Sequence, residues 1–282
     1  MNTTDLRPCL ALEVYGDESE YENVVAYGLA LVPVVRKAEI ENAIVQVKAR
    51  YGCAPEARIH CSPLFHAGTR SKSADWGDKL TKVSDVWMLL EQIVDAFFGA
   101  GGRLWAGILD IRAMPPTLLI EHPKGTHEAH ETHVSHARLF AYQSAMAPVT
   151  DMVDHRRIAT YLDPDMTKLQ RHPLYGALSK RIKDHQGFFP MNHHNEKFEP
   201  RKVGNDKPLL LDIADITSYA ASHAWYDPPR RDAHFFRALL NRAHVGFTTC
   251  HFLPIDGPVS SAQVVNEGTL REQREYFGKL FG

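Results

Sequence analysis

Five aspartates stand where a chain of alternating strands and helices tends to gather its chemistry. Asp17 follows an apolar run over residues 9–15, Asp110 falls near the end of a run over 103–111, and Asp163 follows a run over 157–162. Asp212 and Asp215 lie within an apolar helical pattern over 208–224. Clustered carboxylates repel, and the usual resolutions are a raised pKa for one of them or a divalent cation between them. Oxygen-only donor sets favour Mg2+ or Mn2+, and two such ions roughly 3.5–4 Å apart activate a water and stabilise the leaving oxygen of a phosphodiester. The chemistry implied is hydrolysis or transfer at phosphate. Asp212 and Asp215 are three residues apart, so a helix carries both on one face. Asp215 bears hardest on this reading, because an acid inside Leu211-Asp212-Ile213-Ala214-Asp215-Ile216 needs a partner or an ion. A plainer reading applies to each acid singly: Asp suits turns and helix caps, and Asp163-Pro164 and Asp110 with Pro115-Pro116 fit it best.

The elements that must position these acids follow from hydrophobic periodicity. Residues 9–15 and 24–34 read as two strands joined by an acidic turn at Asp17-Glu18-Ser19, and 103–111 and 157–162 as two more. Helices are predicted over 36–50, 78–98, 136–153, 172–185, 208–224 and 235–242, and residues 57–71 mix a short strand signal with turn residues. Residues 188–207 read as a polar loop or lid. The expected fold class is α/β, a mixed β-sheet flanked by helices. No linker interrupts it, so a single domain over 1–282 is expected, with a core over about 10–225 and a C-terminal helical extension over 226–282.

Composition narrows the function classes. Hydrophobic residues make up 44% of the 282, which excludes disorder for the chain as a whole. With 32 Lys and Arg against 34 Asp and Glu, no general field draws the protein onto polyanions, and nucleic-acid contact must come from local patches. Lys180, Arg181 and Lys183, followed by Arg201 and Lys202 with Phe188, Phe189, His193 and His194 between, form a mix that suits a single strand; solvated helix faces share that composition. The cysteines Cys9, Cys53, Cys61 and Cys250 show no CxxC spacing, and the N-terminus does not read as a signal peptide, so a cytoplasmic location is expected. The run over 24–35 is well short of the roughly 20 apolar residues that span a bilayer, so no membrane partner is expected.

Histidines offer a competing chemistry. His127, His130, His133 and His136 recur every third residue, but neither His127-Glu128 nor His130-Glu131 completes HExxH, and a three-residue step drifts around a helix. Adventitious surface binding is the expected outcome there, with a zinc centre as the alternative. His60 by itself reads as a satisfied buried histidine. Ser19 lacks a GxSxG elbow and reads as a hydroxyl closing the hairpin.

Three motifs together, Tyr15-Gly16-Asp17-Glu18-Ser19, Arg58-Ile59-His60 and the run from Leu211 through Asp212 and Asp215 to Tyr219, resemble the bacterial and phage family catalogued as domain of unknown function 3800. That family is considered RNase H-like. Its pattern is an opening Asp-Glu-Ser-Gly, a Glu-x-His or Glu-x-Lys motif, an Asp after a central strand and a late Gln-x-Ala-Asp helix. The resemblance covers most of residues 10–225, with the first and last motifs the distinctive ones. It implies an RNase H-like fold in which Asp17, Asp163 and Asp215 hold Mg2+ or Mn2+, assisted by Asp212, Glu18 and His60, and cleave phosphodiester bonds of nucleic acid. For His60 the resemblance of its motif implies a general base or substrate contact, on a par with the buried reading. Glu20 replaces the usual Gly, Arg58 replaces the usual acid two before His60, and Asp212 stands where Gln is common. The resulting Asp-x-x-Asp is similar to the helix of Holliday-junction resolvases of the same superfold. The other class left open is a catalytically weak nucleic-acid- or protein-binding module of phage or defence origin that keeps the fold without the ions.

Overall fold

Alternation along the first strand decides which acids can meet. The structure is a computed structural model that describes residues 11–114, 117–121, 127–131, 134–152, 158–162, 208–226 and 231–247. β1 (Leu12–Tyr21) pairs antiparallel with β2 (Val24–Pro33), Tyr21 opposite Val24, so the hairpin turn is Glu22-Asn23. The acidic run Asp17-Glu18-Ser19 therefore lies inside the strand, where the sequence suggested the turn. Glu22 takes a positive φ of 54°, which lets two residues reverse the chain.

β3 (Arg103–Asp110) extends this meander antiparallel to β2, while β6 (Ile158–Leu162) lies parallel to β1 and β7 (His244–Phe247) parallel to β3. The sheet order is β6-β1-β2-β3-β7, a mixed five-stranded sheet, and β4 (Thr117–Glu121) and β5 (His127–Glu131) form a separate antiparallel pair. The expected α/β class stands. β7 and the β4-β5 pair were not predicted, since His127 to Glu131 carries none of the β-branched or aromatic residues that mark strands.

Helices cover both faces. On one lie α1 (Lys37–Arg50), α4 (Val83–Gly99) and α6 (Leu211–Ala224), whose apolar positions join Tyr15, Ala26, Ala30, Leu104 and Ala106 in one core. α7 (Ala233–Leu239) packs beside α6 through Phe236. The short helices α2 (Cys61–Phe65) and α3 (Ala67–Arg70) occupy the stretch read as part strand, part turn. The opposite face carries α5 (Val134–Met152), where Tyr27 packs edge-on against Tyr142 at 5.0 Å between centroids.

Each face is approached closely through one glycine. A Cβ on Gly28 would lie 2.4 Å from the Ser218 amide nitrogen and 2.7 Å from the Ala214 carbonyl, so α6 rests directly on β2 there. A Cβ on Gly107 would meet the Ala141 carbonyl of α5 at 1.9 Å. Among the described residues no helix is long and apolar enough to cross a membrane. The predicted helix over 172–185 and loop over 188–207 lie outside the described residues.

Candidate functional site

β1 sends alternate side chains to opposite faces. Tyr15 enters the core on the α6 side, Ser19 accepts a hydrogen bond from Ser222 of α6 at 3.1 Å, and the Tyr21 ring packs on His223 at 4.2 Å. Asp17 lies between them on this face, directly across from Gly28, where α6 crosses at Ala214 to Ser218. Asp17 is thereby turned toward the stretch of α6 that carries Asp215. Ser19 ties β1 to α6, a different role from closing the hairpin. Glu18 and Glu20 point to the other face, where Arg138 of α5 meets them at 3.0 and 3.2 Å. Glu18 is thus separated by the sheet from the group that the resemblance assigned it to.

Against α6 runs the segment from Ala57 to Cys61, with Ala57, Ile59 and Cys61 buried, Arg58 half-buried and His60 exposed. His60 is extended, at φ −130° and ψ 107°, so the N–H groups of Ile59 and Cys61 project to the same side. Asp212 accepts from the Ile59 amide at 3.2 Å, and Asp215 accepts from the Cys61 amide at 2.9 Å. Two aspartates one helical turn apart thus act as a second edge for an extended segment. Asp215 also takes the His60 ring at 2.6 Å through Nδ1; a carboxylate only accepts, so that nitrogen donates. The His60 side chain is 67% exposed and that of Asp215 15%, so this pair opens to solvent.

Asp212 is the opposite case. It is wholly buried, with Lys48 Nζ at 3.0 Å and Arg58 Nη2 at 2.6 Å. Burial pushes its carboxyl above the usual range, while Lys48, Arg58 and the Ile59 amide pull the other way. Lys48 is itself fully buried and donates also to the carbonyls of Ala57 at 2.6 Å and Pro55 at 3.4 Å. Arg58 donates to the Pro208 carbonyl at the start of α6 at 3.2 Å, and Trp76 fixes the Arg58 carbonyl at 2.7 Å. Burial, and then the neighbouring charges of Asp215, Asp212 and Asp17, push the Cys61 thiol well above its ordinary range.

The structure therefore gathers Asp17, His60, Cys61, Asp212 and Asp215 on one face of the sheet. Asp163 lies outside the described residues, one residue beyond Leu162, whose pair on β1 is Gly16, itself one residue before Asp17. Lys180, Arg181, Lys183, Arg201 and Lys202 also lie outside them. Asp110 is used structurally: it caps the turn Ile111–Ala113, accepts from Asn23 at 2.8 Å and pairs with Arg112 at 2.6 Å. Hydrogen bonding from Arg112 holds its carboxyl below the usual range. His127 and His130 sit on β5 and His136 on α5, so the histidine series does not share one helix, and His133 lies outside the described residues. Among the described residues no three His, Cys, Asp or Glu side chains converge as a metal-binding group. A cavity of about 220 Å³ lined by Trp87, Glu91, Phe235 and Arg242 opens between α4 and α7 and shares no residue with this site.

Sequence reasoning missed Lys48, Arg138 and the role of Arg58. A signal for Lys48 was present: it continues the stripe Ile40, Ile44, Val47, Lys48 at helical spacing, and a lysine on an apolar stripe requires a buried acid. Nothing local could have named Asp212, 164 positions away, as that acid. No protein-family model, curated protein or solved structure matches this chain.

Proposed function

We propose that this chain is a divalent-metal-dependent phosphodiesterase acting on nucleic acid and built on an RNase H-like sheet. The observation that carries the reading is the shared face of Asp17 on β1 and Asp215 on α6, with the exposed His60 hydrogen-bonded to Asp215. The donor chemistry fits: Asp17 and Asp215 offer hard oxygen ligands of the kind Mg2+ and Mn2+ prefer, with Asp163 the third acid of the set. Asp212 leaves that set, because Lys48 and Arg58 already answer its charge. A bound divalent ion would supply charge stabilisation at the phosphate and ease deprotonation of water. Asp215 orients the His60 ring by fixing its Nδ1 proton, which leaves the imidazole aimed to take a proton from, or return one to, a reacting oxygen. Water attacks in line and no covalent enzyme intermediate forms.

Support for the family resemblance comes from its own departures. Arg58 and Asp212 are the two positions in the second and last motifs where this chain differs from the pattern, and they pair with each other at 2.6 Å. A further support is the meander β1-β2-β3 with β6 parallel to β1 and the late helix laid across Gly28.

The test is cleavage of branched, single-stranded and hybrid nucleic acids with Mn2+ by wild type, Asp17→Asn, Asp215→Asn and His60→Gln. Cleavage is expected to vanish in the two aspartate variants and to fall about 10²- to 10⁴-fold in His60→Gln. Cleavage that survives intact in Asp215→Asn, or a wild type that cuts none of these, overturns the proposal. The binding-module reading draws on a specific observation, the pairing of Asp212 with Lys48 and Arg58, which takes one carboxylate of the expected set. It predicts nucleic-acid binding that Asp17→Asn and Asp215→Asn leave unchanged.

A further inference from the structure

The floor of the site holds more charge than stability alone calls for. Lys48 and Asp212 are both fully buried, and Arg58 reaches the same carboxylate from the rim. Two well-packed apolar side chains would hold α1 to α6 about as firmly, because desolvating two charges offsets most of what their attraction returns. Apolar packing cannot choose between neighbouring registers of an extended segment, and directional bonds can. Along residues 57–61 burial alternates, with Ala57, Ile59 and Cys61 buried, Arg58 half-buried and His60 exposed. A slip of one residue would offer the N–H groups of Arg58 and His60 to α6 and turn the His60 ring to the wrong side.

Lys48 opposes that slip. Its ammonium holds the Ala57 carbonyl at 2.6 Å and Asp212 at 3.0 Å, and Asp212 holds the Ile59 amide at 3.2 Å, a closed circuit around one end of the segment. We propose that Lys48 and Asp212 are positioning residues that lock the register of the Ala57-to-Cys61 segment on α6 and so set His60 and the Cys61 amide against Asp215. What His60 then does rests on the function proposed above; its placement rests on geometry alone.

Amide hydrogen exchange and the His60 Nδ1–H resonance, read by NMR on the full chain, test this in Asp212→Glu and in Lys48→Met/Asp212→Leu, with Mn2+ titration alongside. Asp212→Glu keeps the charge and shifts the carboxylate by one methylene, so a role in charge balance alone would leave the segment as it is. Positioning predicts that Ile59 and Cys61 exchange about tenfold faster or more while amides of β2 and α4 are unchanged, and that the His60 Nδ1–H resonance is lost. The double apolar variant tests the same point without a buried charge: it is expected to fold and to lose the same two protections. Wild-type exchange at Ile59 and Cys61 in either folded variant overturns the proposal. A wild type that binds no Mn2+ counts against the function above and leaves the exchange result to decide the positioning role.

Discussion

Asp212 and Asp215 lie on one turn of the same helix and meet opposite surroundings. Asp212 faces a closed floor in which Lys48 and Arg58 hold both its oxygens. Asp215 faces a mouth where an exposed imidazole and the Cys61 amide are its hydrogen-bond partners. The first acid is spent on holding a segment in place; the second is held by that segment and stays partly open to solvent. The same division recurs across β1, where Glu18 is bound by Arg138 on the α5 face while Asp17 sits with Asp215 on the α6 face. A count of carboxylates overstates a candidate metal site; what matters is how many remain after the chain's own cations are assigned.

The floor is the place to break this contrast most severely. Lys48→Met is expected to cost about 3–5 kcal/mol in urea unfolding, because it strips the ammonium from a carboxylate that stays buried. Burial already pushes Asp212 upward, and without Lys48 it moves further. A folded-state pKa above the unfolded value means that the folded form takes up the proton. The variant's deficit is therefore full above the raised value and shrinks as pH falls through it toward about 3.9. Unfolding curves near neutral pH and in mild acid check the sign.

Gly28→Ala follows, at about 1–3 kcal/mol, since its Cβ would press on the α6 backbone at Ser218 and Ala214. Gly107→Ala applies the same insult to α5 on the other face. Thermal unfolding should register both, whereas Mn2+ affinity should drop only for Gly28→Ala. Asp215→Asn, at the mouth, should lower stability by about 1 kcal/mol, the scale of one lost charge-assisted bond, as read by urea unfolding. Smallest is Arg138→Ala, at a few tenths to about 1 kcal/mol for a partly exposed ion pair, again in urea. Calorimetry on this variant should show unchanged Mn2+ affinity; tighter binding would contradict the separation of Glu18 from the site by the sheet.

Much of the framework was legible because it depends on local pattern. The β2 and α1 spans follow apolar runs and helical spacing, and α6 was readable from its apolar positions, though it starts at Leu211 and not at the proline, Pro208, three residues earlier. The placement of the acids was less so. Reading Asp17-Glu18-Ser19 as a turn ignored the strand's alternation, which separates Asp17 from Glu18 by the thickness of the sheet. The Asp-x-x-Asp spacing did put both acids on the side of α6 that meets the Ala57-to-Cys61 segment. It could not say that one of them would be neutralised, because Lys48 and Arg58 arrive from elsewhere in the chain through tertiary packing.

Whether Asp215 still has a ligand to hold decides between a metal site and a structural acid. The direct measurement is a calorimetric titration of the folded chain with Mn2+, wild type beside Asp215→Asn. Saturable binding is expected in the wild type, weakened by about tenfold or more in the variant, with both proteins folded at the temperature used. Equal isotherms in the two proteins, or a folded wild type that takes up no Mn2+ at concentrations on the order of millimolar, would contradict it.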